Sequence, residues 1–456
     1  MRPSQRGAGL KIGPCTRTRT TDQEPVGRFR IAVALLLFVL AAGTPARTAP
    51  DVVRMLEAEG EAAKYWPRWR GPSGQGRVAD GPFPDRWSAT ENIVWRVAVA
   101  GRGNSSPIVW GDRIFLTTAY DGGQRLSLVC FRRSDGKQLW EIFVPQRGVE
   151  FGHPKNGHAS ATPVTDGRRV YASFGSHGLL AADIDGKVAW HRPIGRLDNY
   201  HGSAGSPVLY KDRIFIYQDH DGRESVGSFV AAFAADTGTP LWQTPRDASV
   251  GWGTPVVISA NGRDELIVSS QRRVQAYDPA SGKELWSVTG NTYEVIPTPV
   301  VGHGLVYCAS GRAGPTIAIR PGGSGDVTTT HVAWSVSKGS PFVPSPILVG
   351  DVLYLLNDMQ SIVTAYEAKT GALLFQGRLG AERREGFSSS PIAVNGRVFF
   401  TNDDGETFVL KASRTFYLSH VNQLGEPVLA SPALVDGRWY FRTASSLLAI
   451  GSAGRP

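Results

Sequence analysis

Cysteine is scarce in this chain of 456 residues, which contains only Cys15, Cys130 and Cys308. Small secreted domains often replace a large core with a dense set of disulfides, and three distant cysteines cannot supply one. Hydrophobic residues make up 41% of the chain, which is enough for a large core. We therefore expect a folded chain that is held together by packing rather than by cross-links.

Long hydrophobic runs are also missing. The apolar run at residues 31–42, IAVALLLFVLAA, has twelve residues, whereas a membrane-spanning helix needs about 20. Arg28 and Arg30 precede the run, and Thr44 and Ala46 follow it at suitable cleavage positions. This pattern predicts a signal peptide at residues 1–46. The mature protein is then exported, periplasmic or extracellular, without a transmembrane segment, and no cysteine follows the run to carry a lipid.

The positive charge is concentrated in that leader. The whole chain carries a formal charge of +9, but residues 1–46 hold seven Lys/Arg against two Asp/Glu. The remaining chain is close to balanced, so its charge does not indicate a nucleic-acid surface. We therefore expect no nucleic-acid partner.

Glycine and proline are plentiful, at 53 and 30 residues, and proline marks a repeat. Eight Ser/Thr-Pro dipeptides precede short apolar runs at intervals of 41–56 residues. These dipeptides contain Pro107, Pro163, Pro207, Pro255, Pro299, Pro346, Pro391 and Pro432. A period of this length with several β-runs per unit is typical of propeller blades. The repeat predicts an all-β fold, an eight-bladed β-propeller of four-stranded antiparallel blades over residues 65–450.

The two ends of the chain are expected to close the ring. The eighth repeat stops after its third strand at residues 446–450, and residues 92–97 form a strand-like run, NIVWRV, that precedes the first repeat. The N-terminal strand should therefore complete the last blade and remove its open edge. Residues 47–64 are predicted to be a linker or a short helix, and residues 451–456 a tail.

Most repeats end in an aromatic residue at one position of an eleven-residue pattern, as in AYDPASGKELW at residues 276–286. We predict that these aromatic residues are structural docking residues between blades, with Trp140, Trp242 and Trp286 buried near the rim. An aromatic ligand-binding cluster is the less favoured interpretation. The docking residues are Trp95, Trp140, Trp190, Trp242, Trp286, Trp334 and Phe375.

The same pattern resembles the docking motif of pyrroloquinoline-quinone (PQQ) propellers, Ala-x-Asp-x-x-Thr-Gly-x-x-x-Trp. Ala276, Asp278, Gly282 and Trp286 match it, with Ser281 in place of threonine. The segments at 66–76, 153–164, 314–328 and 402–412 are similar to those of exported PQQ-like β-propeller repeat proteins. That resemblance implies the propeller fold. Proteins with such repeats include quinoprotein dehydrogenases, which are enzymes, and an outer-membrane assembly lipoprotein, which binds proteins and holds no quinone.

Neither catalytic nor metal-binding chemistry is indicated by the remaining motifs. The quinoprotein alcohol dehydrogenases use a Cys-Cys pair, Ca²⁺ and an aspartate base, but Cys130 and Cys308 fall in opposite blades. The segments at 219–224 and 402–406 are weak calcium candidates and are better explained as turns. Four histidines, His153, His158, His201 and His220, lack zinc-ligand spacing. We assign no catalytic residue, no metal site and no cofactor.

The sequence is compatible with two functions. The first is a non-catalytic, monomeric binding or scaffold module for a protein or small-molecule partner, associated with the cell envelope. The alternative is a PQQ-dependent oxidoreductase of alcohols or sugars, with PQQ and Ca²⁺ as cofactors.

A candidate binding surface follows from propeller topology. The segments that enter each innermost strand and the turns between second and third strands should open at one mouth of the channel. The alternative is that their polar groups only satisfy one another and the loop backbone. The residues placed there are His153, Lys155, Asn156, His201, Trp252, Arg272, Arg312, Asn357, Asp358, Asn402 and Asp403.

Overall fold

The computed structural model describes residues 53–146, 148–221 and 227–452. The predicted signal peptide lies outside these residues. The described chain forms eight antiparallel sheets arranged as blades, each running from an innermost strand at the channel to an outermost strand at the rim. The predicted eight-bladed β-propeller is confirmed. Among the described residues, no helix has both the length and the apolar character needed to cross a membrane.

Each blade is built from consecutive short strands joined by tight turns. The first half of the chain contains β1 (Arg54–Met55), β2 (Ile93–Ala98), β3 (Ile108–Trp110), β4 (Arg113–Tyr120), β5 (Arg125–Arg132), β6 (Gln138–Phe143), β7 (Val164–Thr165), β8 (Arg169–Ser173), β9 (Leu179–Asp183), β10 (Val188–Arg192), β11 (Val208–Tyr210), β12 (Arg213–Gln218), β13 (Phe229–Ala234), β14 (Pro240–Pro245), β15 (Val256–Ala260), β16 (Arg263–Ser269), β17 (Arg273–Tyr277) and β18 (Glu284–Thr289). The second half contains β19 (Val300–Gly302), β20 (Leu305–Ala309), β21 (Thr316–Ile319), β22 (Gly325–Asp326), β23 (Val332–Val336), β24 (Ile347–Val349), β25 (Val352–Asn357), β26 (Ile362–Glu367), β27 (Leu373–Arg378), β28 (Ile392–Val394), β29 (Arg397–Thr401), β30 (Glu406–Lys411), β31 (Leu418–Gln423), β32 (Ala433–Val435), β33 (Arg438–Arg442) and β34 (Ser446–Ile450).

In the part of the chain that the structure describes, helical structure is confined to short turns. The helical segments are α1 (Thr328–His331) and three 3₁₀ turns at Gly60–Lys64, Asp121–Gly123 and Gly175–His177. The segment predicted as a linker or short helix therefore contains one 3₁₀ turn. It also contains β1, which pairs with the innermost strand of blade 4.

The ring closes through its N-terminal strand, as predicted. Strand β2 pairs antiparallel with β34, with Ile93 opposite Ile450 and Ala98 opposite Ser446. The last blade thus takes its outermost strand from the start of the propeller. Pairing covers the β34 edge, which would otherwise offer unpaired backbone groups to another chain.

A continuous belt of hydrogen bonds joins the blades around the channel. In each Ser/Thr-Pro dipeptide, the backbone N–H of the Ser or Thr donates to the hydroxyl of the equivalent residue in the next blade. The eight distances lie between 2.9 and 3.2 Å. The members of this hydroxyl belt are Ser106, Thr162, Ser206, Thr254, Thr298, Ser345, Ser390 and Ser431. The belt explains why a hydroxyl residue precedes every marker proline.

At the rim, docking tryptophans join each blade to the next one. In five cases the indole N–H donates to a backbone carbonyl in the following blade, at 2.9–3.2 Å. The same ring covers a glycine of that blade's outer turn. Gly282, for example, has φ +73°, and a Cβ there would lie 2.4 Å from the Trp242 ring. The motif glycine therefore makes room for the tryptophan of the preceding blade.

Blade 4 departs from this arrangement. Trp286 is fully buried and donates instead to Glu265 Oε2 at 2.8 Å, while strand β22 of the blade 5 insertion pairs in parallel beside it. With β1 on the other side, this sheet has six strands. Of the three tryptophans predicted to be buried near the rim, Trp286 is buried, whereas Trp140 and Trp242 are only partly buried. No such additional strand lies beside those two.

Candidate functional site

A cavity of about 240 Å³ occupies one mouth of the central channel. All eight hydroxyls of the belt line it, and apolar side chains form much of the remaining wall. The apolar lining residues are Trp69, Ala204, Trp252, Ile296, Phe342, Val343 and Leu429. The remaining polar lining residues are Asn104, His153, Lys155, Asn156, Ser160, His201, Arg312, Glu385 and Ser388.

The N-terminal segment runs along the channel side of the innermost strands. Trp66 forms backbone hydrogen bonds with Val109 of blade 1, and the carbonyl of Gly76 accepts from Ala393 of blade 7. Between these points, Trp69 lines the cavity and its indole N–H donates to the Thr298 hydroxyl at 3.1 Å. The cavity is therefore lined by this segment as well as by the blades. The repeat pattern did not reveal this role of Trp69, although the Trp- and Arg-rich run at 66–70 is an unusual feature of the sequence.

One side of the mouth carries an aromatic and charged cluster. The rings of His153 and His201 lie 4.8 Å apart, and His201 lies 5.3 Å from Trp252. Trp252 is itself held by a 2.9 Å bond from its indole N–H to the Gly202 carbonyl. Because each ring contacts its neighbour, this wall is ordered by its own packing.

Glu294 holds that cluster together electrostatically. Its carboxylate accepts from Tyr200 at 3.0 Å, lies 3.5 Å from His201 Nε2 and pairs with Arg312. Burial opposes ionisation, but the hydrogen bonds from Arg312 and Tyr200 lower the pKa of Glu294 below its ordinary value. Burial also lowers the pKa of His201 despite the nearby carboxylate. The mouth therefore presents a paired Arg–Glu unit beside the His201 imidazole, whose neutral form is favoured by burial.

Lys155 crosses to the other side of the mouth. Its ammonium lies 3.0 Å from Asp403 Oδ2 and donates to the Glu385 carbonyl. Asp403 also accepts from the Ser388 hydroxyl at 3.2 Å. The segment from blade 1 to blade 2 is thus tied to blade 7, and both cations that line the cavity from the blades are ion-paired.

The structure brings six of the eleven predicted surface residues into the cavity wall. They are His153, Lys155, Asn156, His201, Trp252 and Arg312. Tyr200, Glu294 and Phe342 join the site without having been predicted, since their roles depend on contacts between blades.

The other five predicted residues do not line the cavity. Arg272 is exposed, while Asn357 and Asn402 accept hydrogen bonds from backbone N–H groups of their own turns. Asp358 is buried and accepts from the Phe342 N–H at 2.6 Å, and Asp403 holds Lys155. For the two asparagines, the structure matches the alternative that polar groups satisfy the loop backbone.

Several described residues bear on the alternative of a quinone with calcium. Cys130 and Cys308 are free and buried in blades 1 and 5. Within the described ranges, no group of three or more His, Cys, Asp or Glu side chains could hold a metal ion. Asp219, which belongs to one of the calcium candidates, forms an ion pair with Arg246 at 3.0 Å, and both side chains are fully buried. A quinone bearing several carboxylates would also have to displace the acidic partners of Lys155 and Arg312.

Two curated proteins with different names are similar to this chain. It is 25% identical over 275 residues to the outer membrane protein assembly factor BamB of Burkholderia pseudomallei, covering 58% of this chain and 63% of that protein. It is 21% identical over 354 residues to the tetrathionate hydrolase of Acidithiobacillus ferrooxidans, covering 69% and 65%. The chain thus spans somewhat less than two thirds of the length of these relatives.

Solved structures with low sequence identity share the fold. BamB from Moraxella catarrhalis superposes with a TM-score of 0.57 at 14% identity, covering 80% of this chain and 98% of that one. A europium-containing methanol dehydrogenase gives 0.60 at 10% identity, covering 84% and 90%. The family model described as outer membrane protein assembly factor BamB matches residues 86–223 and 226–432. The chain therefore belongs to this family.

Proposed function

We propose that this protein is a non-catalytic binding module of the cell envelope that holds a protein partner at the mouth of its channel. The main support is the cavity itself, which has an apolar and hydroxyl-lined wall and whose lining cations are ion-paired to neighbouring loops. Such a surface is suited to binding, because its polar groups are held in position before a partner arrives. Membership of the BamB family supports a partner that is itself an envelope protein.

Exposed apolar side chains around the cavity support the same proposal. Phe151 is 66% exposed in the segment that carries His153, and Tyr293 is 70% exposed beside Glu294. Aromatic residues are enriched at protein interfaces because they bury a large area with few rotatable bonds. These two residues lie in segments from different sides of the ring that both contribute to the cavity.

Site-directed photo-crosslinking in cells tests this function. A benzophenone amino acid at Tyr293 should crosslink to a specific envelope protein that mass spectrometry can identify. Tyr417 is the matched control, since it is 59% exposed but precedes the outermost strand β31 on the other end of its blade. Equal crosslinking from both positions, or none from Tyr293, would contradict the proposal.

Catalysis is the competing function, because one relative is named a tetrathionate hydrolase and several structures with the same fold are dehydrogenases. The purified protein should show no hydrolysis of tetrathionate and no dye-linked alcohol or sugar oxidation after addition of PQQ and Ca²⁺. Turnover in either assay that is lost in a Trp252→Ala variant would place chemistry at this mouth instead.

A further inference from the structure

The hydroxyl groups of the belt accept more hydrogen bonds than they donate. Each of its eight oxygens accepts a backbone N–H from a neighbouring blade, and Thr298 accepts the Trp69 indole N–H as well. None of the eight hydroxyl hydrogens is donated to another protein atom within residues 53–146, 148–221 and 227–452. A hydroxyl has one hydrogen to donate, so the belt presents a ring of unused donors to the cavity it lines.

A buried positive charge lies next to the belt. Arg70 is 1% exposed, and its Nη2 donates to the Pro346 carbonyl at 2.7 Å, directly after Ser345 of the belt. Its Nε and Nη1 atoms have no hydrogen-bond partner among the described residues. Desolvation and the nearby Arg77 lower the pKa of Arg70 to about 9, so the guanidinium stays charged at neutral pH. Its charge acts over several ångströms because little water surrounds it.

The other residues that line the cavity limit the kind of group that could accept hydrogen bonds from the belt. The indoles of Trp69 and Trp252 and the side chains of Phe342 and Leu429 line the same cavity. These surfaces favour an apolar or aromatic body, and the volume of about 240 Å³ limits its size. Donors and positive charge near the belt favour a group with several acceptor lone pairs and a single negative charge.

We infer that the cavity binds a single carboxylate carried on a small apolar group, with the carboxylate among the belt hydroxyls and the apolar part against the two indoles. This inference rests on the proposed function and names the chemistry that the mouth recognises. The carboxylate belongs either to a small free acid or to the C-terminus of a partner chain that ends in an apolar residue.

Calorimetric titration of the unaltered full-length chain is the first test, since it needs no substitution. Benzoate is the acidic probe, and benzyl alcohol is its neutral counterpart of similar size. Benzoate should bind at least tenfold more tightly than benzyl alcohol. Equal affinities, or no detectable heat with benzoate, would overturn the inference.

Substitution of Arg70 tests the contribution of its charge. Arg70→Met should remove the preference for benzoate over benzyl alcohol, whereas Arg70→Lys, which keeps a cation, should retain most of it. Arg272→Met is the matched control, because this arginine is exposed, whereas Arg70 is buried and bonded to the carbonyl that follows Ser345 of the belt. A preference that survives in a folded Arg70→Met variant would contradict the role assigned to this side chain.

Two peptides distinguish the sources of the carboxylate. Acetyl-glycyl-phenylalanine as the free acid should bind, and its C-terminal amide should bind at least tenfold more weakly. Tighter binding of the peptide acid than of benzoate assigns the site to the end of a partner chain, and the reverse assigns it to a small acid. Equal binding of acid and amide would contradict a carboxylate site.

Failure of this inference differs from failure of the proposed function. Loss of the acid preference together with specific crosslinking at Tyr293 would contradict the carboxylate site alone. Benzoate binding without any crosslinked partner would contradict the protein-binding function and support a site for a small acid.

Discussion

The backbone N–H of Ser431 donates to the hydroxyl of Ser106 at 3.0 Å, across 325 positions of sequence. This single bond joins the last blade to the first and completes the hydroxyl belt. The belt and the pairing of β2 with β34 therefore close the ring at two radii, one beside the channel and one at the rim.

Substitution of a belt hydroxyl should destabilise the ring. Ser106→Ala would leave the buried Ser431 N–H without an acceptor, which costs about 1–3 kcal/mol. Ser106→Thr should preserve the bond, because threonine occupies the equivalent position in blades 2, 4 and 5. Urea unfolding of the two variants measures the difference. Equal stability would show that the belt bond contributes nothing.

The close approach of Trp242 to Gly282 gives a second prediction. Gly282→Ala should cost about 1–2 kcal/mol for a non-glycine residue at positive φ, plus about 1–3 kcal/mol for overpacking against the indole. Gly304→Ala is the matched control, since Gly304 has φ +78° but no atom within 4 Å of the added Cβ.

A double-mutant cycle separates the two contributions at Gly282. In a Trp242→Ala background, the penalty of Gly282→Ala should fall, because the indole no longer limits the space. It should stay above that of Gly304→Ala, since Thr244 Oγ1 would still lie 2.8 Å from the added Cβ. An unchanged penalty would mean that the indole does not limit the space at this glycine.

Removal of the closing strand should be more harmful than removal of the segment that contains β1. Deletion of residues 92–97 exposes the full outer edge of β34 and should abolish a cooperative melt or cause aggregation. Deletion of residues 51–60 removes the short pairing of β1 with β15, the buried Met55 and a few nearby hydrogen bonds. It should leave a cooperative transition at a lower temperature. Thermal melts followed by circular dichroism compare them, and similar curves would contradict closure by β2.

Asp358 predicts a pH dependence of stability. Burial raises its pKa to about 7, although the Phe342 N–H and the Lys155 charge oppose the shift. The folded state therefore holds this proton more tightly than the unfolded state, so the free energy of unfolding should fall as pH rises from about 4 to about 7. Asp358→Asn, which cannot ionise, should remove this contribution. Urea melts at pH 5 and pH 8 measure it, and an identical pH dependence in both proteins would contradict it.

The sequence and the structure agree most closely where the determining contacts are local. The eight Ser/Thr-Pro markers and the glycine-containing turns predict strands that pair with their immediate successors, and each blade is such a meander. The sequence did not show which tryptophan packs on each motif glycine. Gly282 and Trp286 share one motif, yet the ring over Gly282 is Trp242 of the preceding blade.

The candidate site was predicted only in part for the same reason. Topology placed His153, His201 and Trp252 at one mouth, because segments that enter innermost strands share a face. It did not place Trp69 or Glu294, whose partners Thr298 and Tyr200 are far away in sequence. Such contacts depend on the path of the N-terminal segment and on the spacing of blades around the ring.

The sequence by itself determined the number of blades, the strand order within them and the strand that closes the ring, because periodic turns and adjacent hairpins specify these features locally. Only the tertiary structure decided that eight hydroxyls form one belt, that Trp69 lines the cavity and that Arg70 is buried next to the belt. Those relationships arise because ring closure brings segments from every blade to one axis. Water is largely excluded there, so the electrostatic interactions of unpaired donors and charges are stronger than at the surface.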